Sequence, residues 1–276
     1  MKKKFLPVLV AVVLIIVIGG VSFGIKFMEK YSYTKERADL SAYYNMEGEN
    51  DVAIVLGDEL IEERSRLIDG TYYVALGTAH KYFNDRFYED RGEGLLLYTL
   101  PDDVIRNEIG SSQVSSKEGS ETLSYIPARY EGEILYVALD YVKRYANFSY
   151  EGFAEPDRVQ IDTRWDERQV AEITKDTAVR ILGGVKSEIL KDVEAGEKVT
   201  VLEQMETWSK VKTGDSIIGY VENKRLSESR AELPIPVTDY EEPEYTSLTR
   251  DYKINMGWHV IATLAGNDKL EEATVN

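Results

Sequence analysis

The chain has 276 residues, with 33 basic and 49 acidic side chains, a formal net charge of −16 and no cysteine. The absence of cysteine excludes disulfides and cysteine-based zinc sites. The negative charge disfavours binding to nucleic acid and to anionic lipid surfaces, which carry charge of the same sign. We therefore predict no nucleic-acid partner, no metal site and no cofactor.

The first 27 residues have the pattern of a membrane anchor. Lysines at positions 2–4 precede an uncharged apolar run from Phe5 to Ile25, which at helical rise spans roughly 30 Å, the thickness of a hydrocarbon core. Basic residues stay on the cytoplasmic side, so the pattern predicts a single-pass cell-membrane protein whose C-terminal bulk is extracellular. A cleaved signal peptide is the alternative, although its apolar region is normally shorter and ends at small residues.

Residues 28–50 are polar and rich in tyrosine, and they show no clear hydrophobic period. A segment without periodicity is typical of a loop or linker. We predict a tether between the membrane and the first folded domain.

An internal repeat marks residues 51–165 as one domain. Tyr73-Val74-Ala75-Leu76 returns as Tyr136-Val137-Ala138-Leu139, and the two copies lie near 69–99 and 131–163. Each copy reads as a strand, a short helix and a closing strand, with turn residues before the first strand. Thr78 and Asp140 are the predicted helix N-caps. The prediction is an α+β domain whose two copies share one core.

This repeat region resembles the module named after the N-terminal domain of copper amine oxidases. The resemblance implies an adhesive or spacer module that packs near a catalytic domain. It transfers no site residues, and the region offers no copper site, because His80 is its only histidine and one imidazole is not a ligand set.

Residues 170–227 read as a small all-β domain. Short runs of β-forming residues alternate with glycine-containing turns, and Val199 and Val201 face the core while Thr200 faces solvent. The predicted strands are Ala178–Ile181, Glu188–Leu190, Lys198–Glu203, Trp208–Lys212 and Ile217–Val221. Five short strands in so short a segment favour a closed barrel, which leaves few sheet edges exposed.

The order AVR, AGEKVTVLE, WSKV and GYV resembles the bacterial SH3-like domains of extracellular and cell-wall proteins. The resemblance implies an SH3-like barrel that binds peptidoglycan or its peptide stems and performs no catalysis. Trp208 and Tyr220 are the candidate ligand-binding residues, because an aromatic face stacks on a sugar or a peptide. The alternative is that both side chains only pack the barrel.

The chain changes composition again after this domain. Residues 228–252 form an acidic, proline-containing linker. Residues 253–276 begin with KINMGWHVIA, which resembles the first barrel strand and loop of family-18 glycoside hydrolases. That family's acidic signature DxxDxDxE is missing from the sequence, so the resemblance implies the start of a truncated domain without its catalytic residues.

Three functions follow from these patterns. The first is a membrane-anchored, extracytoplasmic segment that binds peptidoglycan or another wall glycan or peptide and is not catalytic. The second is the front part of a family-18 glycoside hydrolase, chitinase-like or an N-acetylglucosaminidase, whose barrel is missing. The third is an envelope protein–protein interaction or sporulation scaffold. No catalytic residue is identified in the 276 residues, and whether a longer parent protein is an enzyme stays open.

Overall fold

The computed structural model describes residues 32–235, together with residues 28, 30, 240 and 243. The predicted anchor of residues 1–27 and the predicted C-terminal fragment of residues 253–276 lie outside the described residues, as does most of the linker beyond residue 235. Within the described part, no helix is both long enough and apolar enough to cross a membrane.

Residues 51–162, here called the first module, form two β-sheets with two short helices. Its elements are β1 Asp51–Leu56, β2 Glu59–Ile68, β3 Thr71–Ala75, α2 Leu76–Tyr82, β4 Phe87–Asp90, β5 Leu95–Thr99, β6 Val104–Glu108, β7 Gln113–Ser116, β8 Gly119–Thr122, β9 Ala128–Glu131, β10 Ile134–Ala138, α3 Leu139–Lys143, β11 Ser149–Phe153 and β12 Arg158–Asp162. A short helix α1, Leu40–Tyr43, precedes them.

The two sheets of the first module share one hydrophobic core. The larger sheet has the order β11-β12-β1-β2-β3-β10-β9, and the smaller is the meander β4-β5-β6-β7-β8. Only β1 and β12 pair in parallel within these sheets. One cluster of buried side chains joins both sheets and both helices, for example Val74, Leu96 and Val142, each fully buried. The helices contribute little to a fold that is otherwise β structure, so the predicted α+β character is limited to α2 and α3.

The two copies of the repeat meet at the centre of the larger sheet. β3 and β10 pair antiparallel, with Val74 opposite Val137 and each alanine of the repeat opposite the other copy's tyrosine. This register relates the copies by a local two-fold axis through the valine pair. The symmetry ends after the helices, because β4 and β5 enter the smaller sheet while β11 and β12 extend the larger one.

The helices of the repeat begin earlier than their sequence indicates. Each starts directly after its strand, and the N-cap positions are Ala75 and Ala138, which make no side-chain capping bond. Thr78 and Asp140 lie inside the helices and are not caps, so that prediction is wrong.

Residues 168–232, here called the barrel, form one seven-stranded sheet with the order β15-β14-β18-β17-β16-β13-β19. Its strands are β13 Arg168–Glu172, β14 Thr177–Arg180, β15 Ile189–Val193, β16 Lys198–Gln204, β17 Trp208–Thr213, β18 Ile218–Glu222 and β19 Arg230–Glu232. The five predicted strands match β14 to β18 and are confirmed. The predicted closure is not observed, because β15 and β19 lie at the two open edges of the sheet. Val199, Val211 and Val221 are buried in the barrel core, as the alternation of the sequence indicates.

The segment that precedes the first module in the sequence packs against the barrel. Residues 33–44, here called the strap, lie along the barrel, and Arg37 makes a parallel bridge to Ile189 of β15. Leu40 and Tyr43 pack against the barrel core, and Asp39 caps the short helix α1. Within residues 28–50, which are predicted as a tether, the strap is thus held on the barrel by backbone pairing and by the packing of Leu40 and Tyr43. The first module is therefore inserted between two parts of the barrel domain.

A buried arginine joins the two modules. Arg158 of β12 is 2% exposed, and its guanidinium donates to the backbone oxygen and the carboxylate of Asp215 at 2.8 and 3.0 Å. The third guanidinium nitrogen, Nη1, donates to the carbonyls of Ala154 and Pro156. Lys212, also buried, reaches Asp58 of the first module at 2.7 Å. The interface is thus built on charged groups whose hydrogen bonds are satisfied on both sides.

Acid is expected to weaken this interface through Asp215. Burial opposes ionisation of this carboxyl, but hydrogen bonds from Lys191 and Thr213 and the charge of Arg158 hold its pKa below the usual value. A lowered pKa stabilises the fold above the pKa of the unfolded chain, about 3.9, and this contribution disappears as the pH falls through the folded-state pKa. We expect the difference in unfolding free energy between the wild type and Asp215→Asn to shrink below about pH 4. Urea titrations at several pH values measure it, and a pH-independent difference would contradict the assignment.

Candidate functional site

The two sequence-predicted site residues lie on one face of the barrel. β17 and β18 pair so that Trp208 lies opposite Glu222 and Lys210 lies opposite Tyr220. Side chains alternate along a strand, and the intervening Ser209, Val211 and Val221 are buried. The outer surface with Trp208, Lys210, Tyr220 and Glu222 is called the aromatic face below.

Trp208 is half-buried at the edge of a loop. A Cβ atom placed on Gly183 would lie 3.1 Å from the Trp208 Cβ, so the loop between β14 and β15 passes directly against this side chain. The next residue before the glycine, Leu182, is 64% exposed. On the other side, the Met205 N–H bonds the Trp208 carbonyl at 3.1 Å, and the methionine side chain is 38% exposed. Exposed apolar side chains on both flanks make this end of the face suited to a partly apolar ligand.

Tyr220 lies at a seam of the barrel. A single residue pair, Arg180 with Tyr220, joins β14 to β18. The strap closes this seam, because the Tyr43 hydroxyl donates to the Ile218 carbonyl of β18 at 2.9 Å. Burial is the main reason that the pKa of Tyr43 is raised, so its hydroxyl stays a neutral donor. Tyr220 is half-buried between the seam and solvent.

The strap adds a second group of contacts at the opposite end of β18. The Tyr33 hydroxyl donates to the carboxylate of Glu222 and accepts a hydrogen bond from Lys224 at 3.0 Å. Burial opposes ionisation of Glu222, but these hydrogen bonds, from Lys224 first, together with the nearby cations hold its pKa below the usual value. Glu222 is therefore ionised at neutral pH and engaged by Tyr33 and Lys224, while Trp208, Lys210 and Tyr220 are partly exposed beside it.

A polar groove of about 440 Å³ lies on the other side of β17. Ala171, Val201 and Leu226 supply apolar surface, and Gln204 and Ser209 supply polar groups. Ser209 lies in the groove because it is one residue from Trp208 and points to the opposite side of the strand. No local sequence pattern indicates this groove, since its lining residues, from Ala171 to Ser229, come from distant parts of the chain.

Metal-ligating side chains are not clustered in the described residues. These residues contain no group of three or more histidine, cysteine or acidic side chains placed to hold a metal ion. His80 bonds the Phe87 carbonyl through its ring nitrogen at 2.7 Å, which gives it a structural role in the first module. The aromatic face presents the half-buried rings of Trp208 and Tyr220 beside Lys210, and the exposed side chains of Leu182 and Met205 flank it.

Comparison with known proteins agrees with the architecture of the barrel. Residues 176–227 match the family described as bacterial SH3 domain, and the match covers β14 to β18. This match supports the SH3-like domain that the sequence resemblance predicts for residues 170–227. No curated protein and no solved structure matches the chain.

Proposed function

We propose that the chain is a non-catalytic segment that binds the cell wall on the outer side of the membrane. The match of residues 176–227 to the bacterial SH3 domain carries this proposal, because such domains commonly bind cell-wall peptidoglycan. The aromatic face supports it, since Trp208 and Tyr220 lie on the same face of the paired strands β17 and β18. The ligand is peptidoglycan, through its glycan strands or peptide stems.

The extracytoplasmic location is part of the same proposal. It rests on the apolar run after Lys2, Lys3 and Lys4 and on the absence of cysteine. A chain held at the membrane keeps its binding domain at high local concentration near the wall, so that modest affinity suffices.

Co-sedimentation of the 276-residue chain with purified, protein-free peptidoglycan tests the proposal. We expect saturable binding that soluble peptidoglycan fragments compete away. If the chain stays in the supernatant and instead captures one specific envelope protein, the scaffold function replaces the proposed one. The resemblances of residues 51–165 to the copper amine oxidase N-terminal module and of residues 253–276 to a family-18 hydrolase stay predictions.

Trp208→Ala is expected to weaken wall binding about tenfold, because a stacking contact of this kind contributes about 1 kcal/mol or slightly more. The measurement is the concentration for half-maximal sedimentation with peptidoglycan. Tyr88→Ala is the matched control, since Tyr88 is an exposed tyrosine of the first module, at 61%, away from the barrel.

Trp208 is half-buried, so loss of folding must be separated from loss of binding. The circular dichroism spectrum and the melting temperature of each variant are measured alongside. Tyr220→Phe keeps the ring and is expected to retain binding, whereas Tyr220→Ala is expected to lose it. A folded Trp208→Ala variant that binds like the wild type would remove the aromatic face from the proposal.

A further inference from the structure

The first part of the strap pairs with the barrel through its backbone. The N–H of Ala38 bonds the Ile189 carbonyl and the N–H of Ile189 bonds the Glu36 carbonyl, both at 2.9 Å. The N–H of Thr34 bonds the Val185 carbonyl at 2.8 Å. β15 is an edge strand of the barrel sheet, so residues 34–38 add a strand to an edge that is otherwise open. Strand addition of this kind is a recurring mode of peptide recognition.

The Tyr33 side chain of this segment contacts several charged side chains of the barrel. The Tyr33 ring lies 5.5 Å from the Arg180 guanidinium and 5.7 Å from the Lys224 ammonium, both measured to the ring centroid. Arg180 also donates to the Thr34 carbonyl at 3.3 Å and is itself 4% exposed. Together with the bonds of the Tyr33 hydroxyl to Glu222 and Lys224, these contacts recognise a phenol and the extended backbone that follows it.

The two halves of the strap are held differently. Ala38, Leu40 and Tyr43 pack against the barrel core. By contrast, residues 33 and 35–37 are exposed. Their side-chain contacts involve charged groups: Tyr33 contacts Arg180, Glu222 and Lys224, and Arg37 forms a solvent-exposed ion pair with Asp192. Segments with few buried apolar contacts open at low free energy. The first half can therefore leave the barrel while the second half keeps the fold closed.

We propose that the β15 edge, with Arg180, Glu222 and Lys224, is a docking groove for an extended peptide that carries a tyrosine, and that residues 33–37 of the chain itself occupy it. The groove binds one phenol side chain and the extended backbone that follows it. A peptide from another molecule with a tyrosine followed by an extended backbone therefore competes for it. Occupancy of this groove affects the aromatic face directly, because Glu222, which binds the Tyr33 hydroxyl, lies opposite Trp208. The proposal does not depend on wall binding, and its test uses no wall material.

Competition in trans is the test. A tethered segment acts at an effective concentration in the millimolar range, so a fluorescent peptide with the sequence of residues 32–39 is expected to bind the wild-type chain weakly. Tyr33→Ala in the chain weakens the occupant, and the same peptide is then expected to bind about tenfold more tightly. A peptide whose own tyrosine is replaced by alanine is expected to lose that gain. Equal binding of the two peptides to the Tyr33→Ala chain would overturn the proposal.

A disulfide that holds the strap on β15 tests whether the peptide binds at the groove. Arg37 and Ile189 face each other across the parallel bridge, and paired strands lie about 4.8 Å apart, within the range that a disulfide spans. In the Tyr33→Ala chain, the pair Arg37→Cys and Ile189→Cys is expected to exclude the peptide when oxidised and to bind it when reduced. The natural chain has no cysteine, so the reductant acts on this bond alone. Binding that is the same in both states would show that the peptide sits elsewhere and would contradict the assignment.

Discussion

Replacing Arg158 with alanine is expected to lower the free energy of unfolding by about 3 to 5 kcal/mol, because breaking a buried ion pair leaves its partners without compensation. The side chain is 2% exposed and makes four hydrogen bonds, two of them to Asp215 across the interface between the modules. The variant leaves two first-module carbonyls and part of the Asp215 carboxylate unsatisfied. Urea denaturation followed by tryptophan fluorescence measures the loss.

The variant Arg158→Met separates the effect of lost side-chain volume from the effect of lost charge on the free energy of unfolding. It fills most of the same space, and Asp215 keeps its bond to Lys191 at 2.8 Å, so we expect a smaller loss than for alanine. Lys117→Ala is the control, since the ion pair of Lys117 with Asp102 is solvent-exposed on both sides and such pairs contribute little. If Arg158→Ala unfolds at the wild-type urea concentration, the interface does not stabilise the fold.

Gly219→Ala is expected to destabilise the barrel by about 3 kcal/mol, at the upper end of the cost of overpacking. A Cβ atom at this position would lie 2.6 Å from the Arg180 carbonyl oxygen and 2.6 Å from a methyl group of Val179. The first of these neighbours is backbone, which cannot rotate away. β18 and β14 approach closely at this point, and only glycine allows it.

The matched control for this substitution is Gly214→Ala, since a Cβ on Gly214 would meet no atom within 4 Å. Both glycines belong to the same β17–β18 hairpin region, so composition and length stay equal. Thermal unfolding of the two variants in parallel gives the comparison. Equal melting temperatures would show that the close approach of the two strands is dispensable.

The sequence predicted those elements whose side chains carry a regular pattern. The alternation of Val199, Thr200 and Val201 located β16, and the glycine turns delimited its neighbours. The parity of Trp208 and Tyr220 within one hairpin is what places both on the same face, so that part of the candidate site was predictable from strand period and turn position.

The remaining parts depend on contacts that leave no local pattern. Tyr33 and Glu222 are 189 residues apart, and the strap joins β15 through backbone atoms that any sequence offers. β13 and β19 close the far edge of the sheet and were not predicted as strands, because they are short and carry mixed polar side chains. Pairing of this kind is decided by what the rest of the fold presents.

The insertion of the first module into the barrel domain has a mechanical consequence. A pulling force applied to the chain before residue 33 reaches the barrel through the strap, at the bridge of Arg37 to Ile189. Residues 51–162 are then bypassed and carry no tension while the strap holds. If the strap peels away, the same force stretches the inserted module and loads the contact between Arg158 and Asp215. Under such a load, detachment of the strap from the barrel determines the force at which tension reaches the inserted module.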